Sequence, residues 1–224
     1  MALLLSIETS TPVCSVALHD HGELVSSREI RTPQAAASQL TPLIDFLFRE
    51  SGLDKTRLAG VAVSGGPGSY TGLRIGSSTA KGICYALDIP LIALDSLHVL
   101  ASSSEPPVSH GLICPMIDAR RMEVYTCLLT PTLEVIEATR PLVIDENSFQ
   151  EVLRQSPVTF LGNGADKCEG VIQHVHATFL KGQHPRAARM GRLAFRSFES
   201  GTFEDVRLFE PAYLKEFVAK TKKA

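Results

Sequence analysis

No stretch of this sequence is long and apolar enough to cross a bilayer, so a spanning helix is not expected. The opening MALLLSIETS carries a short apolar run. It has no basic leader and runs straight into Glu8, so it is read as a buried strand and not as a signal peptide. The five cysteines form no CxxC pair and are odd in number, which argues against a disulfide framework and a zinc knuckle. Neither charge sign dominates: the formal net charge of −2 gives no global attraction to nucleic acid or anionic lipid. GxSxG and HExxH are missing, and no serine, cysteine or histidine arrangement marks a nucleophile. Solenoid repeats and low-complexity tracts are absent too. What remains is a soluble globular chain of 224 residues, expected in the cytosol and long enough for a real core.

The apolar pattern is that of an α/β protein. Leu3 to Ile7 is a continuous apolar run, as in a strand covered on both faces. A turn at Glu8–Pro12, a strand over 13–18, a loop at Asp20–Glu23 and a strand over 24–30 complete a three-stranded meander. A helix over roughly 38–51 follows, capped by Gly52. Strand LAGVAVS (58–64), a glycine-rich loop, a helix over 73–87 and a strand over 89–94 come next. Ser102–Pro107 is the best linker. Beyond it, strands over 112–117, 123–129 and 142–144, a helix near 146–155 and a strand over 158–161 are expected. Strands first, then strands alternating with helices, twice over, predicts two related α/β lobes. Their bounds are 1–104 and 108–224, with the last segment packing back on the first lobe.

The densest local signal is GGPGSYTGLRIG, residues 65 to 76. Glycines and hydroxyl residues between a buried strand and a helix leave backbone N–H groups that suit an anion. Gly66, Gly68, Ser69, Thr71 and Gly72 would form such a loop, vestigial because no Lys-Ser/Thr pair closes it. Alternatively the glycines serve a tight turn and close helix packing. Small residues at Gly72, Gly76 and Ala80 make a flat helix face, for the chain's own sheet or for a partner. Leu40, Leu43, Ile44 and Leu47 make an ordinary core stripe on the first helix, and Phe46 and Phe48 widen it around the helix. Glu8, Asp118 and Glu123, at the ends of hairpins, have the chemistry to hold magnesium, whereas Asp118 equally suits a turn cap or a pair with Arg120. The His19/His21 pair, read as lying in a loop, and His174/His176 lack a third ligand and are read as structural or solvated. Arg186, Arg189, Arg192 and Arg196 form a basic helix stripe, for RNA phosphates or for nearby acids. The same alternatives hold for Lys215, Lys220, Lys222 and Lys223.

IETSTPVCSVAL, GGPGSYTGLRIGSSTAKG, MIDARRMEVY, LGNGA and PAYLK, in that order over nearly the whole chain, resemble the TsaB (YeaZ) family. The resemblance implies the actin/Hsp70-like ASKHA (ribonuclease H-like) two-lobe fold. It implies a non-catalytic subunit that pairs with TsaD, the enzyme transferring a threonylcarbamoyl group to adenosine of tRNA. Pairing would use the first two helices, with Leu40, Leu43, Ile44, Phe46, Leu47, Leu73, Gly76 and Ala80 at the interface, and the same surface would allow a homodimer. A TsaE-type ATPase is the expected third subunit, with tRNA reached through the complex and no membrane contact.

TsaD-like chains carry an HMEGH metal motif at a place where this sequence reads Asp95-Ser96-Leu97-His98-Val99-Leu100. Ser96 and Leu100 stand at the two histidine positions. No metal or other cofactor is therefore expected in this chain, and ATP, magnesium and a catalytic metal are expected in its partners. The alternatives are an ASKHA phosphotransferase using Glu8, Asp118 and the glycine-rich loop, and, less favoured, a glycoprotease-type peptidase.

Overall fold

A computed structural model describes residues 2–32 and 35–214. The first sheet is built from β1 (Leu3–Glu8), β2 (Cys14–Asp20), β3 (Glu23–Ile30), β4 (Leu58–Gly66) and β5 (Leu91–Asp95). Its order is β3-β2-β1-β4-β5, with β1 antiparallel to β2 and parallel to β4. The central strand β1 is buried over its whole length, with Ser6 and Glu8 buried alongside its apolar residues, as expected of a strand covered on both faces.

A second sheet comprises β6 (Leu112–Asp118), β7 (Glu123–Leu129), β8 (Val135–Val143), β9 (Val158–Leu161) and β10 (Ala177–Leu180). Read outward from β6 its order is β8-β7-β6-β9-β10, the same topology as the first sheet. Again the meander is antiparallel and the later strands are parallel. Two copies of one strand plan make this the two-lobed α/β fold.

Helices α1 (Ala35–Ser51) and α2 (Tyr70–Leu87) cover one face of the first sheet. Leu40, Leu43, Ile44, Leu47 and Ala80 join Leu3, Leu5, Ile7 and Val63 in the core there. On the opposite face a 3-10 turn at Ala187–Arg189 and α5 (Gly191–Glu199) set Ala187, Met190 and Ala194 against Leu4, Ala17 and Ile92. The chain's late segment thus returns to the first sheet. The basic residues expected on one helix are split here between the turn and α5.

Helix α3 (Ser96–Ser102) belongs to both halves: Val99 packs under the first sheet, whereas Leu97 and Leu100 join Ile113 and Leu161 of the second. A short α4 (Gln150–Gln155) closes the second core with Leu153 against Phe160. Strand β8 is longer than the expected 142–144, and neither α3 nor β10 was expected as such.

The segment expected to be a linker is held down. Ser103 Oγ donates to Val99 O (2.7 Å) and accepts from Arg186 N (3.1 Å). Gln183 pairs with the backbone of Glu105 in both directions, at 3.0 Å each. The Glu105 carboxylate receives Arg186 (2.9 Å) and Arg189 (3.0 Å), which hold its pKa below the ordinary value.

Candidate functional site

The glycine-rich loop is shaped by the turn after β1. A Cβ on Gly68 would run into Ser10, one on Gly72 into the Thr9 carbonyl oxygen, and one on Gly76 into Thr9 Oγ1. Ser69 N donates to Ser10 O (2.7 Å), Thr9 Oγ1 donates to Gly72 O (2.8 Å), and Ser69 Oγ caps α2 by accepting from Gly72 N (3.2 Å). Of the loop residues expected to face an anion, Ser69 and Gly72 therefore bind their amides inside the chain. Thr71 is exposed, and Gly66 is approached by the chain's own Ala212. The glycines serve close packing of α2 on the Thr9–Ser10 turn, because only a bare Cα lets the two backbones meet.

Behind the turn lies Glu8, fully buried at the end of β1. Its carboxylate accepts from Ser10 N and Ser10 Oγ, both at 2.6 Å, and from Ser64 Oγ at the end of β4. Burial raises its pKa, and the serine hydrogen bonds oppose that rise. Glu8 is thus a fastener between β1 and β4.

A cleft of about 430 Å³ opens in front of this turn, lined among others by Thr11, Ser69, Tyr70, Asp118, Arg120 and Tyr213. Asp118 pairs with Lys167 and accepts from Arg120 N (2.9 Å). The three acids considered for magnesium are not brought together: among the described residues no group of three or more His, Cys, Asp or Glu side chains is placed to hold a metal. Glu8 is consumed by the serines, and Asp118 has the turn-capping role. In α3, Leu100 is fully buried, and Ser96 Oγ is buried with no hydrogen-bond partner among the described residues.

All five cysteines are free and buried. Burial pushes the Cys14, Cys84 and Cys168 thiols up to about 11 and Cys127 up to about 12, with Cys114 raised as well. Such thiols stay protonated and are poor nucleophiles at neutral pH. His19, expected in a loop, lies instead in β2. Its Nδ1 faces Ser6 Oγ (3.1 Å), its Nε2 faces Ala188 O (3.3 Å), and burial lowers its pKa.

The first two helices distribute their residues differently from the expected interface. Leu40, Leu43, Ile44, Leu47, Leu73, Gly76 and Ala80 are buried within the chain, because α1 and α2 need those faces for their own sheet and for Thr9. Phe46 alone of the eight is exposed, at 52%. A second, outward row lies on α2: Arg74, Ser78, Gly82 and Ala86, four residues apart, with Tyr85 beside it at 80% exposure. A Cβ on Gly82 would meet nothing within 4 Å. The signal for this row was present in the sequence as a second set of small residues at helical spacing, and the inner row masked it.

Three of the four stripe arginines are partnered by acids: Arg186 and Arg189 with Glu105, and Arg192 with Glu23. Lys215, Lys220, Lys222 and Lys223 lie outside the described residues.

Residues 31–223 match the family model described as TsaD, tRNA N6-adenosine threonylcarbamoyltransferase. The tRNA threonylcarbamoyladenosine biosynthesis protein TsaB of Bacillus subtilis (strain 168) is 31% identical over 98% of this chain and 96% of its own length. The chain belongs to the TsaB family. Its counterpart of the same name in Escherichia coli (strain K12) is 32% identical over 54% of this chain and 52% of that protein. A solved structure of YeaZ from Pseudomonas aeruginosa superposes with a TM-score of 0.85 at 26% identity, covering 96% of this chain and all of that one. Among the described residues no helix is long and apolar enough to cross a membrane.

Proposed function

We propose that this TsaB-family chain is a non-catalytic subunit of the threonylcarbamoyladenosine system, acting in the cytoplasm. It binds and activates a TsaD-type transferase through the outward face of α1 and α2. The family supports the pathway. The reading of the face rests on one observation above all: Gly82 sits in the interior of a long helix with open space where a Cβ would project. An interior glycine weakens a helix by about 1 kcal/mol relative to alanine, so a glycine unneeded by the chain itself marks room kept for something else. Ser78 and Ala86 extend the same outward row of α2, with Tyr85 beside it, and Phe46 is the exposed aromatic of α1. Small outward residues with an exposed aromatic beside them suit the close approach of a partner helix.

The chain's own groups are poorly placed for chemistry. Glu8 is fastened to serines, Asp118 to Lys167, and the cysteines are buried. ATP, magnesium and the catalytic metal belong, on this reading, to the transferase and a TsaE-type ATPase. The tRNA is contacted through the assembly. A homodimer would use the same helices in the partner's absence. Activation is then a population shift, in which docking favours the competent arrangement of the transferase.

The test is reconstitution with a TsaD-type chain, the ATPase, tRNA and a threonylcarbamoyl donor. Modified adenosine should form only when this chain is present, and Phe46→Asp or Gly82→Leu should abolish pairing while the variant stays folded. Undiminished modification without the chain, or undiminished pairing by both variants, would discard the assignment.

A further inference from the structure

Residues 204 to 214 have few regular backbone hydrogen bonds, yet they are fastened at several points along the first sheet and α2. Glu204 N donates to Leu91 O (2.9 Å) at the outer edge of β5. Asp205 turns the chain by accepting from Arg207 N (2.7 Å) and, through its backbone oxygen, from Phe209 N (2.8 Å). Val206 and Phe209 pack against the core that α2 covers. From α2, Lys81 Nζ reaches over to donate to Arg207 O (3.2 Å) and Phe209 O (2.9 Å). Further on, Ala212 N donates to Gly65 O (2.7 Å).

Gly66, at φ +106°, allows that approach, since a Cβ there would lie 2.8 Å from Ala212 O. Tyr213 then rests on Tyr70, with ring centroids 4.8 Å apart, while Arg74 lies 5.0 Å from the Tyr70 centroid.

This segment also has a position in the cavities. Ala212, Tyr213 and Leu214 wall the cleft in front of the Thr9–Ser10 turn. Ala212, with Leu208, Phe209 and Glu210, also walls a second cavity of about 620 Å³ beside Gly65, Gly66 and Asp95. One irregular run of chain therefore lines both cavities, with Ala212 common to the two. Arg207–Leu214 is held by a lysine head, one backbone hydrogen bond, a ring contact and the packing of Phe209 on the first core. So few irregular attachments are the kind that open locally without global unfolding.

We propose that Arg207–Leu214 is a strap held shut by α2. When shut, it fixes the glycine-rich loop and the first turn of α2 and narrows the cleft; when released, it frees both. The fastening groups Tyr70, Arg74 and Lys81 sit on the helix that carries Ser78, Gly82 and Tyr85. Taken with the docking reading proposed above, on which this step rests, a partner helix lying along α2 tightens the strap. By reciprocity, a loosened strap then weakens docking by the same factor.

The experiment is hydrogen exchange read by mass spectrometry on the full chain, alone and with a TsaD-type partner, for the wild type, Lys81→Met and Tyr213→Ala. In the isolated chain, amides of residues 65–74 should exchange at least about tenfold faster in either variant, with β9, β10 and α4 unchanged. With partner, exchange at 65–74 should slow in the wild type, and both variants should pair more weakly by several-fold. Unchanged exchange at 65–74 in both variants overturns the strap. A uniform rise that includes the second sheet also overturns it, because that is ordinary loss of stability. If the isolated-chain result holds while Phe46→Asp and Gly82→Leu still pair normally, the docking reading falls and the strap stands.

Discussion

Three glycines on one helix should respond to the same substitution with opposite signs. At Gly82 a methyl group enters open space, so alanine brings only its helix propensity, about 0.8–1.0 kcal/mol of stabilisation. For a chain of 224 residues that is a rise in Tm of about 2–4 °C. At Gly76 the same gain is offset by a clash with Thr9 Oγ1. The Thr9 side chain is short, and swinging it away breaks its 2.8 Å hydrogen bond to Gly72 O, worth about 1 kcal/mol. Adding a local overpacking cost of about 1–3 kcal/mol leaves Gly76→Ala destabilised by about 1–3 kcal/mol.

Gly72 is the worst of the three. Its Cβ would meet the backbone carbonyl oxygen of Thr9, which follows directly on the fully buried strand β1, so the helix itself must shift. A loss of about 2–3 kcal/mol is expected, at the upper end of overpacking costs. Urea unfolding of the three alanine variants, followed by circular dichroism, gives the order Gly82→Ala, wild type, Gly76→Ala, Gly72→Ala from most to least stable. If Gly76→Ala or Gly72→Ala equals or exceeds the wild type, the inner row does not pack as argued. A destabilised Gly82→Ala would mean that its side of α2 is not open.

Other outcomes are equally specific. His19 has a depressed pKa in the folded chain, so its contribution to stability is present above the ordinary value of 6.5 and is lost as the pH falls through the folded value. Urea midpoints of His19→Gln should fall less on acidification than those of the wild type; identical slopes would refute the buried neutral imidazole. Glu8 has the opposite sign: its raised pKa favours the fold below its ordinary value of 4.5, and that advantage disappears as the pH rises through the folded value. Glu8→Gln keeps acceptor and donor capacity for Ser10 and Ser64 without a buried charge. It should be at least as stable as the wild type at neutral pH and still support tRNA modification, and loss of modification with the fold intact would return Glu8 to a chemical role. Glu105→Ala removes both arginine partners and should open the 102–107 segment to limited proteolysis. Equal resistance of variant and wild type would show that Ser103 and Gln183 suffice.

Much of the architecture was legible because it rests on burial. The largely apolar run Leu3–Ile7 is the mark of a strand covered on both faces, and the repeated meander is carried by both sheets. Elements with weak patterning were harder to read. Helix α3 has only seven residues and buries five of them, among them Ser96, so it has no two-sided contrast. Strand β8 lies at a sheet edge with Val135, Ile136 and Val143 exposed, and nothing in an exposed edge strand alternates clearly. The basic stripe read as one helix breaks at Met190–Gly191, where Gly191 must pass close to the His19 ring.

The proposed docking face was the harder inference. A wide apolar stripe on α1 looks the same whether it meets the chain's own sheet or another protein, and here the sheet takes nearly all of it. Only coordinates separate the inner row of α2, whose glycines have Thr9 to accommodate, from the outer row, where Gly82 has nothing.

The fastened segment between the two sheets has a consequence for assembly. Ser103, Glu105 and Gln183 tie residues 102–107 to the returning chain, and α3 contributes side chains to both cores. A hinge at that point would let the halves rock, and a binding partner would then have to select one orientation from many. With the hinge tied, the halves present one fixed shape. Little configurational freedom remains to be surrendered when another protein docks, and variation in affinity among surface mutants should appear mainly in the rate of departure.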